Sequence, residues 1–473
     1  MVLLLGIDVG STTIKAALVE VSPSGVLRTV AVARRATPDT AQALISETAS
    51  AVREALHDRP APLAVAVASM AETGVALGAD GTALGPLVRW QRSAGRAGVR
   101  FLSERFPDLD ARTGIPFSPK PTAAALRELS ETDPGLLART AHWLGVADLV
   151  VRALTGVHAT DPTLATRTML FVDGAWDEEI AEAVGLSPGA LPAVRPVGEA
   201  AGTTTAAARG FGLGTGIQVF TAGHDHAVGA WAAGAREPGS FADSLGTAEA
   251  ILVPTASERA GETVRDGFTS GRSVDGRWRT LMAGSPACGA LLNRTFGTTR
   301  VRASDLLAAL PADRWTPSGV TVLPYPRGRQ SPAPDPSATL DIRTEQTDPT
   351  LIASAVLEAI VLQSRWMREA MAGYVEVAPE RVVLLGSLTE RIPAWGGLVA
   401  ATSASPVVRV TEPEPVAIGA ALLAGVHAGH VDPGATLPSE EVAPIPVDLA
   451  PAYARFREAA AATIETKETD DHP

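Results

Sequence analysis

The chain has 473 residues, of which 46% are hydrophobic and 19% charged, so it is long enough for two or three compact domains and too apolar to be disordered. Its formal net charge of -12 argues against a nucleic-acid-binding protein, because no basic stripe is present to neutralise a phosphate backbone.

The single cysteine, Cys288, excludes an intrachain disulfide. The opening segment MVLLLGIDVG lacks the basic leader of a targeting signal, and no stretch reaches the roughly 20 apolar residues that a membrane-spanning helix needs. We therefore expect a cytoplasmic protein that makes no contact with a membrane.

The first predicted element is a β-hairpin. Residues 3–7 and 14–19 are apolar runs, and the polar, glycine-containing stretch 8–13 lies between them. Such a turn offers backbone N–H groups, threonine hydroxyls and the Lys15 ammonium to one small volume, which suits a phosphate group. Asp8 would repel that phosphate unless a cation lay between them, so the pattern favours a Mg-nucleotide. This stretch alone leaves open an ordinary hairpin with a solvated turn.

A third strand at 26–33, a helix at 40–56 and a fourth strand at 63–67 are predicted next, which together describe a mixed sheet with a crossover. The ligand of such a sheet lies beyond the strand ends, where the loop 69–73 begins. Glu72 is therefore placed to meet a ligand, although a loop glutamate is more often simply solvated.

The middle of the first half carries weaker signals. We predict a short strand at 87–90, a mainly helical segment from 114 to 156, and a loop at 161–171 that runs into apolar structure.

A strand at 217–221 precedes the segment Gly223-His224-Asp225-His226 and a helix of small residues. An acidic side chain at this junction can enter a cleft while the helix N-terminus stabilises its charge, although an N-capping aspartate is an alternative. The pair His224 and His226 also suggests a metal site, which we consider weak because zinc requires three or four ligands.

The second half repeats the order of the first. A strand ends at 243–244, Gly246 and Thr247 form a turn, and strands follow at 250–253 and 278–282. A helix at 349–374, a strand at 382–385, a turn at 386–387 and a helix at 395–404 complete the half. We infer an internal duplication with a boundary near 234–240, in which two phosphate turns face a nucleotide across a cleft.

Together these stretches resemble the FGGY carbohydrate kinases, which belong to the actin, Hsp70 and sugar kinase fold group. The resemblance runs nearly end to end and rests on several motifs in the right order. These are GIDVGSTTIKAALV, TGIPFSPKPTAAALRELSE, ATRTMLF, AGHDHAVGA, SLGTAEAIL and EPEPVAIGAALLAG.

The resemblance implies an α/β fold of two ribonuclease-H-like, actin-like ATPase domains, with mixed β-sheets flanked by helices and a central interdomain cleft. It places the N-terminal domain at 1–236, the C-terminal nucleotide-binding domain at 237–465 and a flexible tail at 466–473. It further implies that the chain transfers the γ-phosphate of Mg-ATP to a hydroxyl of a sugar, sugar acid or polyol.

The resemblance also assigns roles. It makes Asp225 the catalytic base and Asp8 the carboxylate that holds Mg²⁺. The residues implied to bind nucleotide are Gly10, Ser11, Thr12, Thr13, Lys15, Gly246, Thr247, Gly386, Ser387 and Glu390. Those implied to bind substrate are Glu72, Thr73, Trp90 and His226.

The chain departs from the family pattern at two places. Ser387 stands where relatives commonly have glycine under the adenine, and a Cβ there limits close approach of the backbone. The sequence Trp90-Gln91-Arg92-Ser93 replaces the common Trp-x-Asp-x-Arg. The altered glycine bed favours the alternative of a non-catalytic nucleotide-binding regulator of the same fold, whereas Asp8 and Asp225 together favour an enzyme. No segment names the substrate. A homodimer stays open as an expectation, although no segment points to one.

Overall fold

The computed structural model describes residues 1–22, 26–91, 95–246, 248–286, 291, 303–308, 310–386 and 388–468. The predictions on Arg92, Ser93, Thr247, Cys288 and Ser387 fall outside these residues. The last described helix ends at Glu468, so the first residues of the proposed tail are helical.

The chain divides into two compact units, each built from three segments. The first unit contains Met1–Ala232, Ser270–Trp278 and Glu414–Thr436. The second contains Ala233–Thr269, Arg279–Pro413 and Leu437–Pro473. The main division lies close to the boundary at 236, but two later segments belong to the first unit.

The described residues form strands and helices in both units. The strands are β1 (Val2–Val9), β2 (Thr13–Val21), β3 (Leu27–Ala36), β4 (Ala64–Ser69), β5 (Gly74–Leu77), β6 (His142–Gly145), β7 (Ala159–Thr160), β8 (Phe171–Val172), β9 (Ala175–Trp176), β10 (Ala193–Val194), β11 (Gly202–Thr203), β12 (Gln218–His224), β13 (Ser240–Leu245), β14 (Glu249–Thr255), β15 (Thr269–Arg272), β16 (Arg279–Ser285), β17 (Thr321–Pro324), β18 (Leu340–Arg343), β19 (Arg381–Leu385), β20 (Val407–Val410) and β21 (Ser439–Glu441). The α-helices are Ala41–Leu56, Arg96–Arg105, Leu109–Thr113, Thr122–Thr132, Pro134–Ala138, Val146–Thr155, Pro162–Thr166, Glu178–Ala183, Asp225–Ala232, Ala260–Thr263, Ala303–Ala308, Pro349–Ala372, Leu388–Arg391, Pro393–Ala401, Pro415–His427 and Ala450–Glu468.

The sheet of the first unit has the strand order β11-β12-β4-β1-β2-β3. Strands β1, β2 and β3 form an antiparallel meander, whereas β4 runs parallel to both β1 and β12. Every residue of β4 is buried, as expected for a central parallel strand that is covered on both faces.

The sheet of the second unit repeats this arrangement. Its order is β15-β16-β14-β13-β19-β20-β21, with β13 antiparallel to β14, β14 antiparallel to β16, and β19 parallel to both β13 and β20. Strands β13, β14, β16, β19 and β20 therefore correspond to β1, β2, β3, β4 and β12. The repeated order that the sequence predicted is confirmed.

The helix Ala41–Leu56 shows why local sequence predicted these elements well. Thr40 caps it by accepting a hydrogen bond from the Ala43 N–H, and residues at helical spacing, including Leu44 and Val52, are buried. Its apolar face joins the core cluster under the first sheet. The predicted helix at 40–56 is confirmed.

The helix Pro415–His427 lies against β1 at an unusually short distance. A Cβ added to Gly6 would stand 1.9 Å from the Ala417 carbonyl oxygen and 2.5 Å from the Ala421 nitrogen. Only glycine permits this approach of helix backbone to strand backbone.

The strand predicted at 87–90 is wrong, because Val88 forms only an isolated bridge with Gly74, and the Leu87 N–H donates to the Asp39 carbonyl. The segment 114–156 is mainly helical, as predicted, and also contains the strand β6, which pairs with β5. None of the helices in the described part of the chain combines the length and apolarity needed to cross a bilayer.

Candidate active site

Three parallel strands of the first sheet end at the same level. In the register of β1, β4 and β12, Ser69 pairs with both Val9 and His224. The chain leaves this edge through Asp225 and through the loop that contains Glu72, while Asp8 lies one residue before the end of β1. The topology therefore brings three carboxylates, far apart in sequence, to one edge of the sheet.

The turn between β1 and β2 is fixed by hydrogen bonds from outside the hairpin. Within the turn, the Gly10 N–H donates to the Thr13 carbonyl at 3.1 Å. From outside, Arg89 Nη1 donates to the Ser11 carbonyl at 2.9 Å, and the Thr37 N–H donates to the Thr12 carbonyl at 3.1 Å. Arg89 was not predicted to contribute, although it stands next to Trp90 in the sequence.

Asp8 is buried at the end of β1 and paired with Lys15. The Lys15 ammonium lies 2.9 Å from Asp8 Oδ2 and 3.2 Å from a Glu414 oxygen. Burial raises the pKa of Asp8, Lys15 opposes that shift and Asp225 adds to it, while the Asp8 carboxylate raises the pKa of Lys15. Lys15 is therefore a permanent cation that already contacts two carboxylates.

Asp8 Oδ1 is buried and has no hydrogen-bond partner among the described residues. A buried carboxylate oxygen without a partner is costly, and a cation or one of its water ligands would relieve that cost. Hard oxygen ligands suit Mg²⁺. Asp8 therefore fits the predicted magnesium ligand.

Asp225 begins the helix Asp225–Ala232 directly after β12. Its Oδ1 accepts a hydrogen bond from the His226 N–H at 2.7 Å and lies 3.2 Å from His224 Nε2. The side chain of Asp225 is 22% exposed, so an incoming hydroxyl group can reach the carboxylate. The helix N-terminus favours its negative charge.

His224 is buried, and its environment keeps it uncharged. Burial lowers the pKa of His224 well below its usual value, and Arg167 and His226 lower it further. Its backbone N–H donates to Thr163 Oγ1 at 2.8 Å. The imidazole beside Asp225 is therefore neutral at neutral pH.

The ligand atoms of His224, Asp225 and His226 lie within 4.8 Å of one another. Asp225 is therefore a third potential metal ligand beside the two histidines. A cation bound there would occupy the carboxylate of Asp225.

Three of the four predicted substrate-binding residues, Glu72, Thr73 and Trp90, lie near the end of β4. Glu72 has a left-handed φ of 60°, and its side chain is only 7% exposed. Thr73 is buried, and its hydroxyl accepts a hydrogen bond from the Trp90 N–H at 3.2 Å. The Lys120 ammonium lies 5.5 Å from the centre of the Trp90 ring, a cation–π contact.

Glu72 is held by Arg167, which sequence reasoning did not single out. Arg167 Nε donates to Glu72 Oε1 at 2.8 Å, and Nη2 donates to the same oxygen. Arg167 lies in the ATRTMLF segment, 95 residues further along the chain, and no local pattern links the two positions.

A cavity beneath this loop is lined by Glu72, Thr73, Trp143, Asp148 and Thr160, among others. Burial raises the pKa of Asp148 to about 7, although its carboxylate accepts a 2.8 Å hydrogen bond from the Gly145 N–H. Asp148 therefore keeps its proton in the folded state at a pH where the unfolded chain has lost it.

We expect Asp148→Asn to reduce the pH dependence of stability. The pKa of Asp148 in the folded protein is raised by burial above the ordinary carboxyl value of 3.8. Its contribution to stability is therefore fully present below pH 3.8 and is lost as pH rises through about 7. Asparagine keeps an acceptor for Gly145 and cannot ionise. The loss in unfolding free energy between about pH 5 and pH 8, measured by urea titration, should be smaller in Asp148→Asn than in wild type.

The exposed Asp58→Asn variant serves as the control and should keep the wild-type pH profile. Equal slopes for Asp148→Asn and wild type would contradict the assignment.

In the second unit, the Gly246 N–H donates to the Ala248 carbonyl at 3.0 Å, in the turn between β13 and β14. Gly386 has a φ of 104°, and a Cβ there would stand 2.3 Å from the Leu245 carbonyl oxygen. Two backbone segments therefore approach closely at the ends of the neighbouring strands β13 and β19. Glu390 is exposed on the short helix that follows.

Glu414, in the EPEPVAIG segment, belongs to the first unit. It pairs there with Lys15 and with Arg34 Nε at 2.7 Å.

Solved structures share this fold over the whole chain. Xylulose kinase from Rhodospirillum rubrum superposes with a TM-score of 0.84 at 23% identity and covers 100% of both chains. Glycerol kinase from Plasmodium falciparum, solved with ADP, superposes with a TM-score of 0.78 at 15% identity and covers 98% of each chain. The fold is that of the actin-like sugar kinases.

Sequence comparison gives the family. The FGGY family of carbohydrate kinases matches with its N-terminal domain at residues 3–232 and its C-terminal domain at residues 242–428. Glycerol kinase from Methylibium petroleiphilum is 28% identical over 379 residues, which cover 72% of this chain and 74% of that protein. L-fuculokinase from Escherichia coli is 32% identical over 198 residues, covering 41% and 42%.

The family match and the fold therefore define a sugar or polyol kinase, and the family implies ATP as the phosphoryl donor. The chain belongs to the FGGY family of carbohydrate kinases.

Proposed function

We propose that this enzyme transfers the γ-phosphate of Mg-ATP to a hydroxyl of a sugar, sugar acid or polyol, with Asp225 as general base. The observation that carries the proposal is the position of Asp225. Its partly exposed carboxylate begins a helix at the sheet edge where Asp8 and the Glu72 loop also lie.

Phosphoryl transfer requires an in-line nucleophile, neutralised phosphate charge and an acceptor for the hydroxyl proton. Asp225 Oδ1 is engaged by the His226 N–H and lies near His224 Nε2, which leaves Oδ2 to accept the substrate proton. Because burial keeps His224 uncharged, it can hold the carboxylate in place without an adjacent positive charge. These contacts orient the base.

We propose that Asp8 holds Mg²⁺, directly or through water, at its unpartnered Oδ1. When bound, the ion would supply charge neutralisation for the transferring phosphoryl group. Lys15 and the turn Gly10–Ser11–Thr12–Thr13 are proposed to contact the phosphates, because the ammonium and the turn lie at the same hairpin as Asp8.

We expect Asp8→Asn to raise the Mg²⁺ concentration needed for half-maximal activity by about tenfold or more, since it removes the negative charge that would attract the ion. Initial rates over a Mg²⁺ titration at saturating substrate measure this. The exposed Asp108→Asn variant should titrate like wild type. An unchanged Mg²⁺ requirement in Asp8→Asn would show that another group holds the ion.

In the second unit we propose that the nucleotide is bound by Gly246, Thr247, Gly386, Ser387 and Glu390. Support comes from the backbone approach at Gly386, which only glycine allows. The proposed substrate residues are Glu72, Thr73, Trp90 and His226. The interdomain cleft, the cytoplasmic location and a homodimer stay predictions from the sequence.

The activity is tested by a coupled ADP-release assay over glycerol, D-xylulose, L-fuculose and D-gluconate, the substrates that the names of similar kinases suggest. Substrate-dependent ADP release that requires Mg²⁺ is the expected result. ATP binding without ADP release in the presence of any polyhydroxyl compound would instead favour the nucleotide-binding regulator.

A further inference from the structure

Three observations indicate that the surrounding residues hold Glu72 in one conformation. Its backbone adopts a left-handed φ of 60°, which is uncommon for a glutamate and persists only where the surroundings impose it. Its side chain is 7% exposed and that of Arg167 is 13% exposed. Arg167 Nε and Nη2 both donate to Oε1, and Oε2 makes no hydrogen bond to the described residues.

The short helix Pro162–Thr166, which precedes Arg167, also contacts the strand that carries the base. The Thr163 hydroxyl donates to Asp161 Oδ1 at 2.6 Å and accepts from the His224 N–H at 2.8 Å. Asp161 Oδ1 in turn caps the helix by accepting from the Thr163 N–H at 3.0 Å. One short helix therefore links the end of β12 to the Glu72 loop.

The same contacts connect the segments that carry two carboxylates. Asp225 follows His224 directly, and Glu72 is bonded to Arg167, so the bonds through Thr163 and Arg167 link the two segments. Arg167 also lies close enough to His224 to oppose protonation of that histidine.

We infer that Arg167 is a positioning residue that occupies Glu72 Oε1 and presents Oε2 to a hydroxyl of the substrate. The inference rests on the proposed function. The group recognised at Oε2 is a hydroxyl donor and not a carboxylate, because a carboxylate has no proton to donate there and would meet the charge of Glu72 at short range. The site therefore selects the polyhydroxyl end of a substrate.

A double-mutant cycle tests this inference with the substrate that the ADP-release assay identifies. Binding is measured by calorimetry for wild type, Glu72→Gln, Arg167→Met and the double variant. We expect each single variant to weaken binding by about tenfold or more, as for loss of a hydrogen bond to a charged group. The double variant should bind the substrate no more weakly than the single variant with the lower affinity, because the two residues act as one unit.

Effects that multiply in the double variant would overturn the inference, and so would wild-type affinity in either single variant. Arg105→Met is the matched control, since it removes an exposed arginine–glutamate pair in the same unit and should bind like wild type.

If Arg167→Met does not fold, the cycle is run with Arg167→Lys, which keeps the charge but not the forked geometry. Arg167→Lys should raise KM and keep kcat within about twofold, whereas a lower kcat at unchanged KM would overturn the inference.

Asp225→Asn separates this inference from the proposed function. It should abolish most turnover while it retains substrate affinity, so a failure of Asp225 as base appears in kcat and leaves the binding cycle unchanged.

Discussion

Asp225→Asn is expected to lower kcat by about a hundredfold or more while the protein stays folded, because general bases contribute in that range. The asparagine oxygen can still accept the hydrogen bond that the His226 N–H donates to Asp225 Oδ1, so the helix start is preserved. What the variant loses is the capacity to take the substrate proton.

Steady-state kinetics at saturating ATP and substrate measure the effect, with circular dichroism as the check on folding. Asp173→Asn provides a matched control, because Asp173 is exposed in the same unit and has a φ of 51°, which asparagine tolerates. A variant at Asp225 that kept most of the wild-type rate would show that another group accepts the proton.

Gly6→Ala is expected to lower the free energy of unfolding by about 3 kcal/mol or more, at the upper end for overpacking in a core. The new methyl group would stand 1.9 Å from the Ala417 carbonyl oxygen, and that atom belongs to helix backbone, which cannot move aside like a side chain. The helix Pro415–His427 would have to move away from β1, the strand that carries Asp8.

Urea denaturation followed by circular dichroism measures this loss of stability. Gly210→Ala is the control, because nothing lies within 4 Å of a Cβ at that position. Its midpoint should match wild type or rise slightly, as expected when alanine reduces the entropy of the unfolded chain. An unchanged midpoint in Gly6→Ala would show that the strand and helix separate without cost.

Much of the site was predictable because its signals are local. Apolar runs interrupted by a polar, glycine-containing turn indicate the hairpin that carries Asp8, and a strand followed by a small-residue helix places Asp225 at the junction. The repeated strand order follows from the same patterns. The prediction of a strand at 87–90 is wrong because a pattern of four residues does not reveal whether a neighbouring strand is available for pairing.

The sequence by itself thus determined the repeated αβ architecture, the turn between β1 and β2, and the acidic residue that follows β12. Only the tertiary structure decided that Arg167 holds Glu72, that Glu414 contacts Lys15, and that Gly6 meets the backbone of a helix from the far end of the chain. The reason is physical. Secondary structure depends on the spacing of apolar and polar residues that are near one another in the sequence. An ion pair or a close backbone approach depends instead on which distant segments the fold brings together.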